Sequence, residues 1–334
     1  MDIIFHPKYL DHKQFGTHPE SPDRLNSILT RLEDEELIED VLIPEPAERD
    51  FLEKTHTPRY LDMLKSSYGQ YIDGGDTYLD EDTYEIAKLA AGGALEGIKK
   101  ALSCERTLAL LRPPGHHAGK DYGGGFCYLN NAAIAANQVN AGRVAIIDLD
   151  AHHGNGTSDI FYSDPNVLYI SAHHHGIYPG TGEAVAVGQG PGEGYNINIP
   201  LKTGRGDSTL DLAWTEIMKP ILNQYQPKTI IVSFGTDGHY ADKLTGLTYS
   251  SQCYIRMAER ITALSKELCK GSVSYMLEGG YHLECLSEIA AGIVASESGK
   301  EVSLEYTKVS DTEQIGREEI LETKATLKKY WGLS

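Results

Sequence analysis

Long apolar runs are missing from this chain of 334 residues. No stretch of about 18 consecutive apolar residues occurs, the length a helix needs to cross a bilayer, so no membrane span is expected. The opening segment, Met1 to His6, has no basic region followed by an apolar run, and it does not read as a secretory leader. Cysteine is sparse: Cys104, Cys127, Cys253, Cys269 and Cys285 are odd in number, and no CxxC pair occurs. That pattern supports neither a disulfide framework nor a thiolate zinc site. Any metal must be held by histidine and carboxylate. Positive charge is scarce, with 30 Lys and Arg against 48 Asp and Glu and a formal net charge of −18. No basic stripe is visible, so direct nucleic-acid binding is not expected. An acidic surface keeps a protein soluble and can also steer cationic ligands toward it. The expectation is a soluble, cytoplasmic protein, and nothing points to a particular oligomeric state.

What the chain does have is an alternation of short β-branched runs with longer helical patterns. Strands are expected at 2–5, 106–111, 143–149, 166–171, 228–234 and 272–277. Helices are expected at 83–101, 129–141, 207–225, 250–269 and 315–330. Such alternation predicts an α/β fold, with a mostly parallel multi-stranded sheet and helices on both faces. No repeat and no Ser/Pro-rich linker interrupts it, so one domain over 1–334 fits best. Glycine clusters at 123–125, through 176–194 and at 279–280, marking elaborate loops.

Five of the expected strands end in reactive residues. The run 106–111 is followed by Arg112-Pro113-Pro114-Gly115-His116-His117, and 143–149 by Asp150-Ala151-His152-His153-Gly154-Asn155. Strand 166–171 runs into His173-His174-His175, 228–234 into Asp237-Gly238-His239, and 272–277 into Glu278-Gly279-Gly280-Tyr281. Open parallel sheets bind ligands at the carboxyl ends of their strands. Five strand ends bearing ionisable or aromatic groups predict an active site along that edge.

Asp148, Asp150 and His152 alternate, and in an extended segment alternate side chains share a face. Two carboxylates and an imidazole there make a metal anchor, and Asp237 is the natural third donor from a neighbouring strand end. Three protein ligands plus an open position is the pattern of catalytic zinc. A turn-capping aspartate is the plainer alternative for each carboxylate. His116 and His117 fit either metal ligation or an acid/base pair, and the acid/base role is preferred because 148–152 already supplies ligands. At least two of His173, His174 and His175 are expected to be structural or solvent-facing. Tyr281 follows two glycines, which permit tight turns, and its hydroxyl could donate to a developing oxyanion.

These segments resemble the histone deacetylase family, within the arginase/deacetylase superfamily. The resemblance rests on His18-Pro19-Glu20-Ser21-Pro22-Asp23-Arg24-Leu25, Arg112-Pro113-Pro114-Gly115-His116-His117-Ala118 and Gly125-Phe126-Cys127-Tyr128-Leu129-Asn130-Asn131. It continues through Asp148 to Gly156, Tyr178-Pro179-Gly180-Thr181-Gly182 and Glu278-Gly279-Gly280-Tyr281, in the family's order over about 12–285. Glu278 and Asn155 make it look like the class II branch, whose relatives include acetylpolyamine amidohydrolases.

The resemblance implies a zinc-dependent deacetylase that hydrolyses an acetylated amine to acetate and free amine. Asp150, His152 and Asp237 would ligate the metal, with Fe2+, Co2+ or Mn2+ as possible substitutes for Zn2+. His117 would be the general base and then the general acid, with His116 as its electrostatic partner. Asp148 would pair with His116 and Asn155 with His117; class I relatives carry Asp at the latter position, so His117 is expected to be tuned differently here. Tyr281 would polarise the acetyl carbonyl, and the Gly125 carbonyl would meet the substrate amide. Phe126 and Tyr178 would wall a narrow tunnel, and phenylalanine is more usual than tyrosine at the second wall. Arg24 resembles the family's arginine behind the active site. Potassium is expected near Asp148, Asp150, His152, Ser171 and Ala172, with a second site near Phe161, Asp164 and Val167.

The resemblance implies as substrate either an acetyl-lysine side chain in a protein or a small acetylated amine such as an acetylpolyamine. Relatives place a gatekeeper seven residues after the last metal aspartate, here Leu244, and its apolar side chain favours acetyl-lysine. Asp242, Lys243 and the acidic loop of Asp73, Asp76, Asp80 and Asp82 keep polyamines in play. A binuclear ureohydrolase would need more metal carboxylates than the 148–155 segment has. A non-catalytic acyl-lysine binding module would have no use for His117 and Tyr281.

Overall fold

The computed structural model describes every residue except 39, 40, 140, 141, 309, 310, 313 and 314. All six expected strands form, together with two that were not expected, in one parallel eight-stranded sheet. In chain order they are β1 (Asp2–Ile4) and β2 (Val41–Leu42), then, after the small antiparallel hairpin β3 (Gln70–Tyr71) and β4 (Tyr78–Leu79), β5 (Thr107–Ala109), β6 (Val144–Asp148), β7 (Val167–His174), β8 (Asn196–Leu201), β9 (Thr229–Phe234) and β10 (Val273–Leu277). The spatial order is β2-β1-β5-β10-β9-β6-β7-β8. The five strands whose ends carried reactive residues are therefore consecutive neighbours, β5-β10-β9-β6-β7. Every residue of these five is buried, as expected when helices cover both faces of a parallel sheet. Strand β8 escaped the sequence pattern because Pro200 lies within it; it is an edge strand, where a residue without an N–H is tolerated.

Helices Thr83–Leu102, Ser251–Cys269 and Arg317–Leu327 match expectation closely. Two expected helices differ. The one placed at 129–141 spans Asn131–Ala136: the Asn130 side chain caps it by accepting from the Ala133 amide at 2.9 Å, and Gln138 and Val139 then donate to carbonyls three residues back, tightening the end. Residues 140 and 141 of that expectation lie outside the described residues. The one placed at 207–225 contains a π turn at Trp214–Met218 between Asp207–Ala213 and Lys219–Tyr225. Pro220 has no N–H to continue the regular ladder there. Helices Asp23–Asp34, Pro58–Ser66 and Leu283–Ser298 were not foreseen. The last is buried nearly all round, so it shows no polar stripe.

A continuous core surrounds the sheet. A second cluster, including Tyr60, Leu61, Leu79, Tyr84 and Tyr128, packs beneath the β3–β4 hairpin and the loop carrying Gly125 and Phe126. It anchors one wall of the site without belonging to the sheet. No helix among the described residues is long and apolar enough to cross a membrane.

Candidate active site

Strand β6 ends at Asp148, one residue earlier than expected, and this changes the geometry of its reactive triplet. Asp148 Oδ1 accepts from the Asp150 amide at 3.2 Å, and Asp150 Oδ1 accepts from the His152 amide at 2.9 Å. Successive aspartates thus fold the chain into turns by capping amides two residues on. The three side chains do not share one extended face, as alternation had suggested. Asp148 turns toward His116 and Tyr169, with its Oδ2 at 3.2 Å from His116 Nδ1 and accepting from the Tyr169 hydroxyl at 2.9 Å. Asp150 and His152 turn toward β9 and meet Asp237.

Asp150, His152 and Asp237 form a compact set whose donor atoms lie within 4.8 Å of one another. His152 Nδ1 stands 2.7 Å from Asp237 Oδ2 and 3.2 Å from Asp150 Oδ1. Each carboxylate has its other oxygen tied down: Asp150 Oδ2 accepts from the Gly279 amide at 2.8 Å, and Asp237 Oδ1 from the Ala151 amide at 2.8 Å. The sheet neighbours thereby orient one free oxygen of each aspartate at the same imidazole. Two buried carboxylates this close repel unless a cation sits between them. Burial works against a proton on His152, yet the Asp237 and Asp150 charges outweigh it and raise its pKa well above the usual histidine value. That proton occupies the place a divalent ion would take, so the donor set fits a metal.

A second set within the same distance limit is His116, Cys127 and Glu278. It contains a cysteine, a ligand type the sequence had not pointed to. Burial pushes the Cys127 thiol pKa up, and this set brings only one carboxylate, whereas the first brings two. The aspartate set is the better cradle.

Beside the cradle, the His116 and His117 rings lie with centroids 4.0 Å apart. Burial opposes charge on both. For His116 the Asp150 and Asp148 carboxylates override it, and the pKa is pushed up to about 10. For His117 burial is reinforced by the neighbouring His116 and His152 charges, and the pKa falls well below the usual value. The two adjacent imidazoles are thereby driven apart in pKa, His116 toward the charged form and His117 toward the neutral one. His117 Nδ1 lies 2.7 Å from Asn155 Oδ1, so both expected histidine pairings are present.

Tyr281 hangs from a rigid turn. Buried Arg24 donates from Nε to the Gly280 carbonyl at 2.7 Å and from Nη2 to the Glu278 carbonyl, and its guanidinium lies 5.0 Å from the Tyr281 ring centroid. Arg24 is thus behind the site, as expected. Glu20 balances its charge, at 3.4 Å from Arg24 Nη1 and 2.6 Å from Arg112 Nε. Burial raises the Tyr281 phenol pKa well above normal, so the hydroxyl stays a donor. Glu278 Oε2 accepts from the Gly115 and His116 amides at 2.7 and 3.1 Å, tying β10 to the His116–His117 turn.

The two residues expected as walls stand against different site groups, with His117 contacting Tyr178 and Tyr281 contacting Phe126. The His117 ring meets Tyr178 edge-on with centroids 4.9 Å apart, while Phe126 meets Tyr281 edge-on at 6.0 Å. Gly125 adopts φ +54°, and a Cβ there would sit 2.4 Å from His117 Cδ2, so the backbone passes directly against the catalytic candidate. Tyr178 and Leu244 are 46% and 44% exposed, so both reach the surface. Asp242, in contrast, cannot guard the mouth. It is buried, its Oδ2 accepts from the Tyr281 and His282 amides at 2.7 and 3.2 Å, and its Oδ1 accepts from the Leu244 amide at 3.0 Å. Asp73 is similarly engaged, accepting from the amides of Gly75, Asp76 and Thr77 at 3.1 Å each and from Gly125 at 3.3 Å.

Of the histidine run, His173 and His174 belong to β7 and only His175 is exposed. His173 bonds Ser171 and the Gly182 carbonyl, which makes it structural. The residues expected around potassium are gathered locally. Ser171 pairs in register with Asp148, and Phe161, Asp164 and Val167 share one turn through hydrogen bonds of 2.9 and 3.4 Å.

The Asp150–His152–Asp237 cradle, the adjacent His116 and His117 rings and the turn carrying Tyr281 are thus gathered at one edge of the parallel α/β sheet. Residues 18–296 match the histone deacetylase domain, and the chain belongs to that family, with class II-like features. It is a deacetylase by class. It is 40% identical over 313 residues to a probable deacetylase of Archaeoglobus fulgidus, covering 90% of this chain and 87% of that protein. It is 37% identical to a rice protein named histone deacetylase 10, chloroplastic, covering 82% of this chain and 68% of that one. The crystal structure of the HDA15 HD domain superposes with a TM-score of 0.90 at 32% identity, covering 99% of this chain and 95% of that one.

Proposed function

We propose that the protein is a zinc-dependent deacetylase of acetyl-lysine side chains, with Asp150, His152 and Asp237 holding the ion. The observation that carries this reading is the placement of His117, bonded to Asn155 at 2.7 Å and with its ring 6.0 Å from that of His152, directly beside the carboxylate cradle. A bound zinc ion would supply a Lewis acid and lower the pKa of water toward neutrality. Fe2+, Co2+ or Mn2+ fit two carboxylates and one imidazole as well. His117 takes the proton of the attacking water through Nε2 and returns it to the leaving amine. His116, held protonated by the Asp150 and Asp148 carboxylates, keeps His117 neutral and stabilises developing negative charge. Tyr281 donates to the carbonyl oxygen as it becomes an oxyanion. Gly125, Phe126 and Tyr178 orient the acyl amide and its aliphatic stem.

Leu244 at the surface and Asp242 turned inward favour a lysine stem over a polyamine, because the carboxylate that might have read a second ammonium is spent on backbone amides. Potassium at the two expected positions would support the Asp148–His152 turn and the Phe161–Val167 turn. Five free cysteines accord with a reducing, cytoplasmic setting.

The test compares kcat/KM for acetyl-lysine peptides, acetylputrescine and acetylspermidine, with metal content measured on the same preparation. Acetyl-lysine peptides should be preferred, turnover should vanish on chelation, and zinc should restore it. Faster turnover of acetylated polyamines would reassign the substrate. Two tightly bound divalent ions per chain would reassign the chemistry to a ureohydrolase type.

A further inference from the structure

We propose that Tyr122 and Asp159 are positioning residues that fix the orientation of the Asn155 amide and thereby choose which nitrogen of His117 carries its proton. The proposal rests on the reading of His117 as the base.

A chain of donors and acceptors runs inward from the surface to His117. Asp159 is exposed, and its carboxylate can only accept. The Tyr122 hydroxyl donates to Asp159 Oδ2 at 2.5 Å. Burial, then the bond to Asp159, raises the phenol pKa, so that hydrogen stays on the oxygen. With its hydrogen committed, the Tyr122 oxygen can only accept from a further neighbour. That neighbour is Asn155, whose Nδ2 donates to it at 3.2 Å. The amide is therefore set with NH2 outward and Oδ1 inward, 2.7 Å from His117 Nδ1. An oxygen there accepts, so the proton sits on His117 Nδ1 and Nε2 is left bare, as a general base requires.

Asn155 could not make this choice alone. The two ends of an amide are nearly equal in size, and only the network around it decides which faces where. A flipped Asn155 would set its oxygen against a Tyr122 oxygen that has no hydrogen to offer. It would also offer N–H to His117 Nδ1, which favours the tautomer protonated on Nε2. An aspartate at 155 would need no such lock, because either oxygen accepts.

The experiment has a spectroscopic arm and a kinetic arm. Long-range 1H–15N correlation on the zinc-loaded enzyme should report His117 as Nδ1–H in the native protein and as a mixture or Nε2–H in Tyr122→Phe. A general base contributes about 10²–10⁴-fold, so Tyr122→Phe should lower kcat by about tenfold or more while KM stays within about twofold. Asp159→Leu should behave the same way, whereas Asp159→Asn, whose carbonyl still accepts, should lose much less. In an Asn155→Asp background, Tyr122→Phe should cost less than about twofold, since no amide remains to flip. The lock is refuted if Tyr122→Phe keeps the native tautomer and kcat, or if its cost persists undiminished in the Asn155→Asp background. A native enzyme with no turnover on acetylated amines would sink the base assignment instead, and the tautomer measurement would still decide the lock.

Discussion

Gly279→Ala tests the metal cradle without touching a ligand. Gly279 lies between the two aspartates, and a Cβ there would stand 2.5 Å from Asp150 Oδ2 and 2.9 Å from Asp237 Oδ2. Its backbone is outside the left-handed region, so alanine is conformationally allowed and the effect is steric alone. Real Cβ atoms require at least 3.0 Å, so Asp150 must retreat by about half an ångström. It has little room to do so. The same oxygen accepts from the Gly279 amide, and on another side a Cβ at Gly235 would already lie 2.1 Å from it. Metal–ligand distances tolerate about 0.2 Å, so the shift exceeds what a site absorbs. Perturbing such supports costs about 10–100-fold in metal affinity, or about 1.4–2.7 kcal/mol. The assay is competition with a chromophoric zinc chelator on metal-stripped protein, alongside thermal unfolding of the same sample. Metal-free unfolding should show an overpacking cost of about 1–3 kcal/mol, while zinc affinity drops by that factor beyond it. A variant that titrates zinc as tightly as the native protein would refute both the cradle and the crowding argument.

Three further outcomes are expected. Tyr281→Phe should lower kcat by about 10²–10³-fold with KM nearly unchanged; a rise in KM at constant kcat would instead make the hydroxyl a ground-state binder. Asp242→Ala removes the acceptor of the Leu244, Tyr281 and His282 amides, so urea unfolding should show a loss of about 1–3 kcal/mol or more, with kcat reduced as well; an unchanged midpoint would mean the clamp is idle. Finally, burial holds His12, His56 and His239 at about 4, below the ordinary 6.5. The unfolded state binds more protons between those values, so stability should fall as pH drops from 6.5 toward 4, by on the order of 1 kcal/mol per histidine by pH 5.5. Urea midpoints that stay flat from pH 7.5 to 5 would contradict this.

Why the site was legible while its supports were not is a matter of range. Asp150 and His152 announce themselves by spacing within one turn, and the strand-end rule brings Asp237, His117 and Tyr281 to the same edge. The rule works because a parallel sheet forces every strand to exit on one side. Alternation nevertheless misdescribed Asp148, since the pattern assumes an extended chain and cannot register an aspartate capping the amide two residues on. Asp242 looked like a surface charge beside Leu244, because nothing local says that its partners lie 39 and 40 residues away. Tyr122 and Asp159 carry no signature at all, being ordinary residues made consequential by a third one between them. Helix Leu283–Ser298 was missed for a compositional reason: a segment buried on every side has no polar face to betray its period.

The Arg24 guanidinium ties the start of this chain to the Glu278–Tyr281 turn across a separation of 254 to 256 residues. At translation rates of about 5–20 residues per second, the turn emerges from the ribosome on the order of ten to fifty seconds after the arginine. Through that interval Arg24 and Glu20 have no completed pocket to occupy, and Tyr281 does not yet exist. β10, inserted between β5 and β9 in the middle of the sheet, is the last of its strands to be made, and the turn that carries Tyr281 follows it directly.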